Sequence, residues 1–176
     1  MPRRPVPPRE TVVRADIVDV FVVRAAGRAA GRATGRGRRA WQHLVLRRAT
    51  SARCPGTWEA VHGHIERGES PTDAARRELR EETGLVCERL YALTVNPFFL
   101  AVSGQVQLAV AFVAVVGHDA VTLGEEHDRH AWLSRAAARR RYHWPRERES
   151  LDHIAILFRD GTAGAAEDVL RMAPAD

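Results

Sequence analysis

Four of the five glutamates in the glycine-bounded stretch Gly63–Leu85, GHIERGESPTDAARRELREETGL, are Glu69, Glu78, Glu81 and Glu82. Glu78, Glu81 and Glu82 recur at i, i+3 and i+4, so a helix gathers them onto about a third of its circumference. Carboxylates stacked in this way repel each other by roughly a few tenths of a kcal/mol per pair, and a helix C-terminus disfavours their charge further. A bound divalent cation reverses that sign. All the donors are carboxylate oxygens with no Cys/His cluster around them, which favours Mg²⁺, with Mn²⁺ as the alternative, over Zn²⁺. The substrate suited to such an ion carries phosphates. The competing reading is a surface helix whose Glu and Arg pairs only support helicity.

The glutamates need an element to hold them. Ser70 is placed to cap a helix, Pro71 fits its first position, Asp73 completes a capping box and Gly84 ends it. Thr72, Ala75 and Leu79 then flank the acidic face, with Arg76 and Arg80 on a solvated basic surface. Before the helix, the β-branched run Val12 to Arg24 reads as a central strand, and Trp41 to Arg48 as its neighbour. Between them, residues 25–40 form a low-complexity Gly/Ala/Arg loop, either an arm for anionic ligands or a mere hairpin expansion. A turn at Pro55-Gly56 leads to a short strand, Trp58 to Val61. Beyond the helix, Tyr91 to Val102 and Gln105 to Val116 read as strands joined at Ser103-Gly104, with a polar loop at 117–129 and a short strand from His130 to Leu133. Ser134 caps a helix of Ala and Arg, a last major helix runs from Arg146 to Phe158, and Glu167 to Met172 adds a helical turn. Strands interleaved with helices indicate an α/β fold, a sheet between helical layers.

The positions Gly63, Glu69, Arg77, Glu78, Leu79, Glu81, Glu82, Gly84 and Leu85 resemble the complete Nudix box. The resemblance implies an α/β/α sandwich, a mixed sheet with the box helix and a C-terminal helix packed on it. It implies Mg²⁺-dependent attack of water on a diphosphate linkage. Glu78, Glu81 and Glu82 become metal ligands, with the backbone carbonyl of His62 as a further one, although many members have Gly at that position. Glu78 or Glu126 becomes the general base, with Glu125 as an alternative. Arg77 and Glu69 pair to hold the loop against the helix, and Gly63 and Gly84 supply conformations that side chains obstruct. The segment GEEHDRHAWL is similar to the branch acting on nucleoside triphosphates or dihydroneopterin triphosphate, which yields a monophosphate and pyrophosphate. Dinucleoside polyphosphates, ADP-ribose and RNA 5′ ends are the alternative substrates, and a nucleotide-sensing module without turnover is the non-enzymatic one. Trp58, Phe98, Phe99 and Trp144 are candidates to stack on the base or pterin ring, against the plainer reading that they are core residues.

Composition bounds the rest. The 176 residues suit one domain, 12–176, after a flexible basic arm at 1–11. No apolar run reaches the length of a membrane span and no apolar leader opens the chain, so no membrane partner and a cytoplasmic location are expected. All 27 basic residues are arginine, which excludes lysine nucleophiles; a genome rich in G and C accounts for the bias. The net charge of +5 helps to attract polyanions, but a small phosphate-linked molecule is favoured over nucleic acid as the partner. The chain is expected to be a monomer or a homodimer. Cys54 and Cys87 stand in unrelated contexts and are expected to be free thiols.

Overall fold

The computed structural model describes residues 11–26, 40–117 and 119–174. The arm proposed at 1–11 and the loop at 25–40 therefore lie, apart from residues 11, 25, 26 and 40, outside the described residues.

Among the described residues, seven strands share one mixed sheet: β1 (Val12–Ala25), β2 (Trp41–Arg48), β3 (Trp58–Glu59), β4 (Val61–His64), β5 (Cys87–Leu100), β6 (Gln105–Val116) and β7 (His127–Ser134). The main path runs β3-β2-β1-β6-β5, with β4 paired to β1 and β7 to β2. β1 and β6 are parallel, and the other pairings are antiparallel. The helices are α1 (Pro71–Thr83), α2 (Arg135–Arg141), α3 (Pro145–Leu157) and α4 (Glu167–Leu170).

Period-two alternation divides the apolar strands between two cores. Val18, Val20, Val22, Leu44 and Leu46 join Ala74, Ala75 and Leu79 of α1 on one face. Phe21, Val23 and Val45 join Ala138 of α2, Tyr142, and Leu151 and Ile154 of α3 on the other. The result is the expected α/β/α sandwich. The tail also contributes: Met172 N–H donates to the Leu90 carbonyl at 2.8 Å and Arg76 donates to the carbonyl of Ala173, so Arg76 pins the C-terminal segment instead of standing in solvent.

Three expected boundaries shift. The strand foreseen at Trp58 to Val61 is broken at Ala60 into β3 and β4, where Ala60 N–H leaves the ladder and donates to Glu147 Oε1 at 2.9 Å. β5 begins at Cys87, before Tyr91, because Cys87 already pairs with Val116. β7 begins at His127, inside the stretch read as a loop, since its exposed Asp128 and Arg129 hide the alternation. No helix among the described residues is long and apolar enough to cross a membrane. Both cysteines are free.

His43, on β2, is 3 % exposed, and its Nδ1 has no hydrogen-bond partner. Burial, reinforced by the Arg135 charge, lowers its pKa from 6.5 to about 4. The unfolded chain therefore takes up this proton first, and the stability held by neutral His43 drains away as pH falls from 6.5 towards 4. The loss amounts to about 3 kcal/mol at the acid end. Thermal melts of wild type and His43→Leu across that range should show a shallower acid loss in the variant; parallel curves would contradict this.

Candidate active site

α1 forms where the sequence places it. Ser70 Oγ accepts from Asp73 N–H at 3.1 Å, and Gly84, at φ 68°, donates its N–H to the Arg80 carbonyl at 2.8 Å. Gly84 takes the left-handed conformation that side chains resist. Gly63 is needed for a different reason, space: a Cβ there would overlap the Glu78 carboxyl group. That carboxylate lies directly on the backbone of β4.

Arg77 gathers more than its expected partner. Its Nε and Nη2 donate to the two Glu69 oxygens, both at 2.9 Å, and Nη2 also to the His64 carbonyl at 2.8 Å. Nη1 donates to Glu78 Oε1 at 2.8 Å and Glu81 Oε2 at 3.1 Å. Glu69 also accepts from Glu66 N–H at 2.9 Å, closing the loop onto the helix. The guanidinium thus stands among the acids as a tethered cation. Among the described residues no group of His, Cys, Asp and Glu is already drawn together into an ion cage, in keeping with Arg77 sharing out Glu78 and Glu81.

Glu82 differs from its neighbours. It is 7 % exposed; Oε1 accepts from His62 N–H at 3.2 Å, while Oε2 is buried with no partner. Burial raises its pKa well above the carboxylate range, and the charges of Glu78, Glu59 and Glu126 raise it further against the His62 bond. An orphaned, buried carboxylate oxygen beside other carboxylates needs a proton or a cation. A hard divalent ion fits this donor set, with Glu78, Glu81 and Glu82 as the side chains to hold it and the His62 backbone alongside.

Glu78, Glu81, Glu82, Glu125 and Glu126 line one cleft of about 520 Å³ with His62, Arg48, Arg53 and Arg77. Glu126 reaches it from the segment before β7, where Gly124 N–H bonds to the Glu82 carbonyl at 3.1 Å; Arg48 Nη1 holds Glu126 Oε2 at 2.9 Å.

A second cavity, of about 410 Å³, opens beside it and shares Arg48, Arg53 and His62. Its walls are largely apolar: Pro97, Phe98, Phe99, Leu100, Trp144 and Pro145. Phe98 lies 4.5 Å under the Arg146 guanidinium, and Phe99 is 61 % exposed. Trp58 is not among the lining residues. It packs against the α2/α3 core, with Arg141 at 4.7 Å from its ring, so the candidate stacking residue at this end is Trp144 in its place. Neighbouring strand residues face opposite sides of the sheet, and it is Glu59, next to Trp58, that turns to the cavity.

Sequence reasoning missed Asp19, Glu59, His127, Arg146 and Arg48. Asp19 is fully buried and accepts from His62 Nδ1 at 2.6 Å, Arg146 Nε at 3.1 Å and Asn96 Nδ2 at 3.3 Å. Burial pushes its pKa up, but the His62 bond and charge, then Arg146, overcome this and leave it well below the carboxylate range. A lone acid inside the apolar run IVDVFVV was the available signal. His127 stands in the segment GEEHDRHAWL, whose resemblance was the signal there; for Arg146 there was none.

An α/β/α sandwich that presents an arginine-clasped acidic helix at the mouth of an apolar pocket defines a fold and site of one class. The chain belongs to the NUDIX family: the sequence profile of the NUDIX domain matches residues 19–154. An octanoyltransferase of Myxococcus xanthus is 41% identical over 81 residues, 44% of this chain and 23% of that protein. An RNA pyrophosphohydrolase of Bartonella bacilliformis is 47% identical over 49 residues, 28% of this chain and 26% of that one. The chain thus spans about a quarter of the length of these curated relatives. The crystal structure of a C. elegans Ap4A hydrolase superposes with a TM-score of 0.64, covering 85% of this chain and 99% of that one at 20% identity, a likeness of fold.

Proposed function

We propose that the protein is a Mg²⁺-dependent pyrophosphohydrolase that cleaves a diphosphate linkage in a nucleoside triphosphate or the related pterin triphosphate, releasing a monophosphate and pyrophosphate. The observation that carries this reading is the pairing of the two cavities. The apolar one, walled by Phe98 and Trp144, suits a planar ring. The acidic one next to it holds the orphaned Glu82 oxygen.

Water forms a bond to one phosphorus, the bridging P–O bond breaks, and the bridging oxygen leaves with the departing phosphate. The water proton passes to a carboxylate, Glu78 or Glu126. A bound Mg²⁺ supplies neutralisation of phosphate oxygens and a more acidic water. Arg48 and Arg53, shared by both cavities, orient the phosphates between ring and cleft. Arg77 keeps Glu78 and Glu81 aimed at the cleft, and Asp19 fixes the His62 ring at the junction.

The test is a substrate panel with Mg²⁺, resolved by anion-exchange chromatography: nucleoside and pterin triphosphates, dinucleoside polyphosphates, ADP-ribose and 5′-triphosphorylated RNA. The proposal expects triphosphates to give monophosphate and pyrophosphate in one step. Preference for another member of the panel, stepwise release of orthophosphate, or binding without turnover would overturn it.

A further inference from the structure

Arg146 stands in the wall of the apolar cavity with part of its guanidinium uncommitted. Nε donates to Asp19 Oδ2 at 3.1 Å and Nη2 to Asp19 Oδ1 at 3.4 Å. The group also lies 4.5 Å from the centre of the Phe98 ring and 5.8 Å from that of Trp144. Nη1, by contrast, has no hydrogen-bond partner among the described residues, and it is not one of the polar atoms shut away from solvent. Glu59 lines the same cavity. Its Oε1 accepts from Arg48 Nη1 at 3.0 Å and lies 3.3 Å from His127 Nε2, whereas Oε2 accepts only the Trp144 indole N–H, at 3.2 Å. That leaves Oε2 a lone pair to offer.

We propose that Arg146, with Glu59 as its complement, makes the apolar cavity select rings that carry an oxo group beside a ring N–H, as guanine, uracil and pterin do, over adenine and cytosine. The oxo oxygen accepts from Arg146 Nη1, and the ring N–H donates to Glu59 Oε2. Adenine and cytosine present the reverse edge, an amino group beside a bare ring nitrogen. Their amino hydrogens meet the guanidinium N–H groups, and their nitrogen lone pair meets the carboxylate. A guanidinium has no acceptor in any orientation, and the bonds to buried Asp19 hold this one in place, so it cannot adapt to the other edge. In an apolar setting each mismatch leaves a desolvated polar group unpaired, which costs more than the loss of an attractive contact. The selection rests on the reading above that this cavity takes the ring of the substrate, and it specifies which ring.

Inosine and adenosine monophosphates differ in this edge alone, so calorimetric titration of the whole chain with each is the test. The guanosine, uridine, cytidine and 2-aminopurine nucleotides extend the comparison, and ribose 5-phosphate, which has no ring, reports the share of the phosphate. The wild type should bind inosine monophosphate about tenfold or more tightly than adenosine monophosphate. Guanosine and uridine monophosphates should side with inosine, and the cytidine and 2-aminopurine nucleotides with adenosine. Arg146→Lys keeps a cation for Asp19 but has no second nitrogen to spare for the ring. Its preference should vanish through weaker inosine monophosphate binding, with adenosine monophosphate affinity unchanged. A loss that weakens both nucleotides alike would make Arg146 a structural residue only and overturn the proposal. Should this variant fail to fold, the 2-aminopurine nucleotide decides, since it lacks the oxo group while the protein stays intact. Equal affinity for the inosine and adenosine nucleotides, or a preference that survives in Arg146→Lys, overturns the selection and leaves the cavity assignment standing. Nucleotides that bind no more tightly than ribose 5-phosphate overturn the cavity assignment, and the selection with it.

Discussion

Replacing Glu82 by Gln is expected to lower turnover by about 10³-fold, a barrier increase of about 4 kcal/mol, without lowering the melting temperature. The two halves of this result have one cause. Oε2 of Glu82 is buried without a partner, in a setting that resists its charge. In the absence of a cation the fold bears the cost of that carboxylate, so a neutral amide of the same shape relieves it. Under the proposed function, with a cation and substrate present, the same charge neutralises the ion that holds the phosphates, and its loss falls on the transition state. Steady-state kinetics at saturating Mg²⁺ and a thermal melt read the two halves. A variant within about tenfold of wild-type turnover would remove Glu82 from the chemistry, for which a loss of several kcal/mol is expected.

Gly63→Ala separates activity from stability by a different route. The new Cβ would overlap the Glu78 carboxyl group, not backbone. Side-chain ends rotate away cheaply, so the fold survives, with a melting temperature close to wild type. The displaced carboxylate, however, leaves both the cleft and its 2.8 Å bond to Arg77 Nη1. A misplacement of about 1 Å at a reacting centre costs about 10²-fold, and a metal ligand moved further costs more, so turnover should fall by at least that factor. Active Gly63→Ala enzyme would mean that Glu78 works from another position. A collapse of stability instead would mean that backbone, and not the side chain, meets the added carbon.

The acidic half of the site was legible because it is local. One helix with its caps and entry loop carries Glu69, Arg77, Glu78, Glu81 and Glu82, and helical spacing determines which of them share a face. The strands were legible for a similar reason, as runs such as Gln105–Val116 are apolar on both faces and bury both. The apolar half of the site is assembled from contacts distant in the chain. Glu59 meets His127 across 68 residues and Trp144 across 85, and Arg146 meets Asp19 across 127. Nothing in local spacing encodes such pairs. Trp58 shows the cost of relying on residue type alone: one position away from Glu59, it faces the other core. The burial of His127 was hidden because its strand exposes the three residues that follow it.

In the proposed function a cation held at Glu82 in the acidic cleft drives hydrolysis of a diphosphate linkage. Its most direct test is mass spectrometry of the products formed in ¹⁸O-water from the best triphosphate of the panel, by wild type and Glu82→Gln, with Mg²⁺ and with chelator. One ¹⁸O in a single product, formed by wild type with Mg²⁺ and nearly absent both in the variant and under chelation, is the predicted result. Undiminished hydrolysis by the variant or in chelator would rule out a cation at Glu82 as the driver of the reaction.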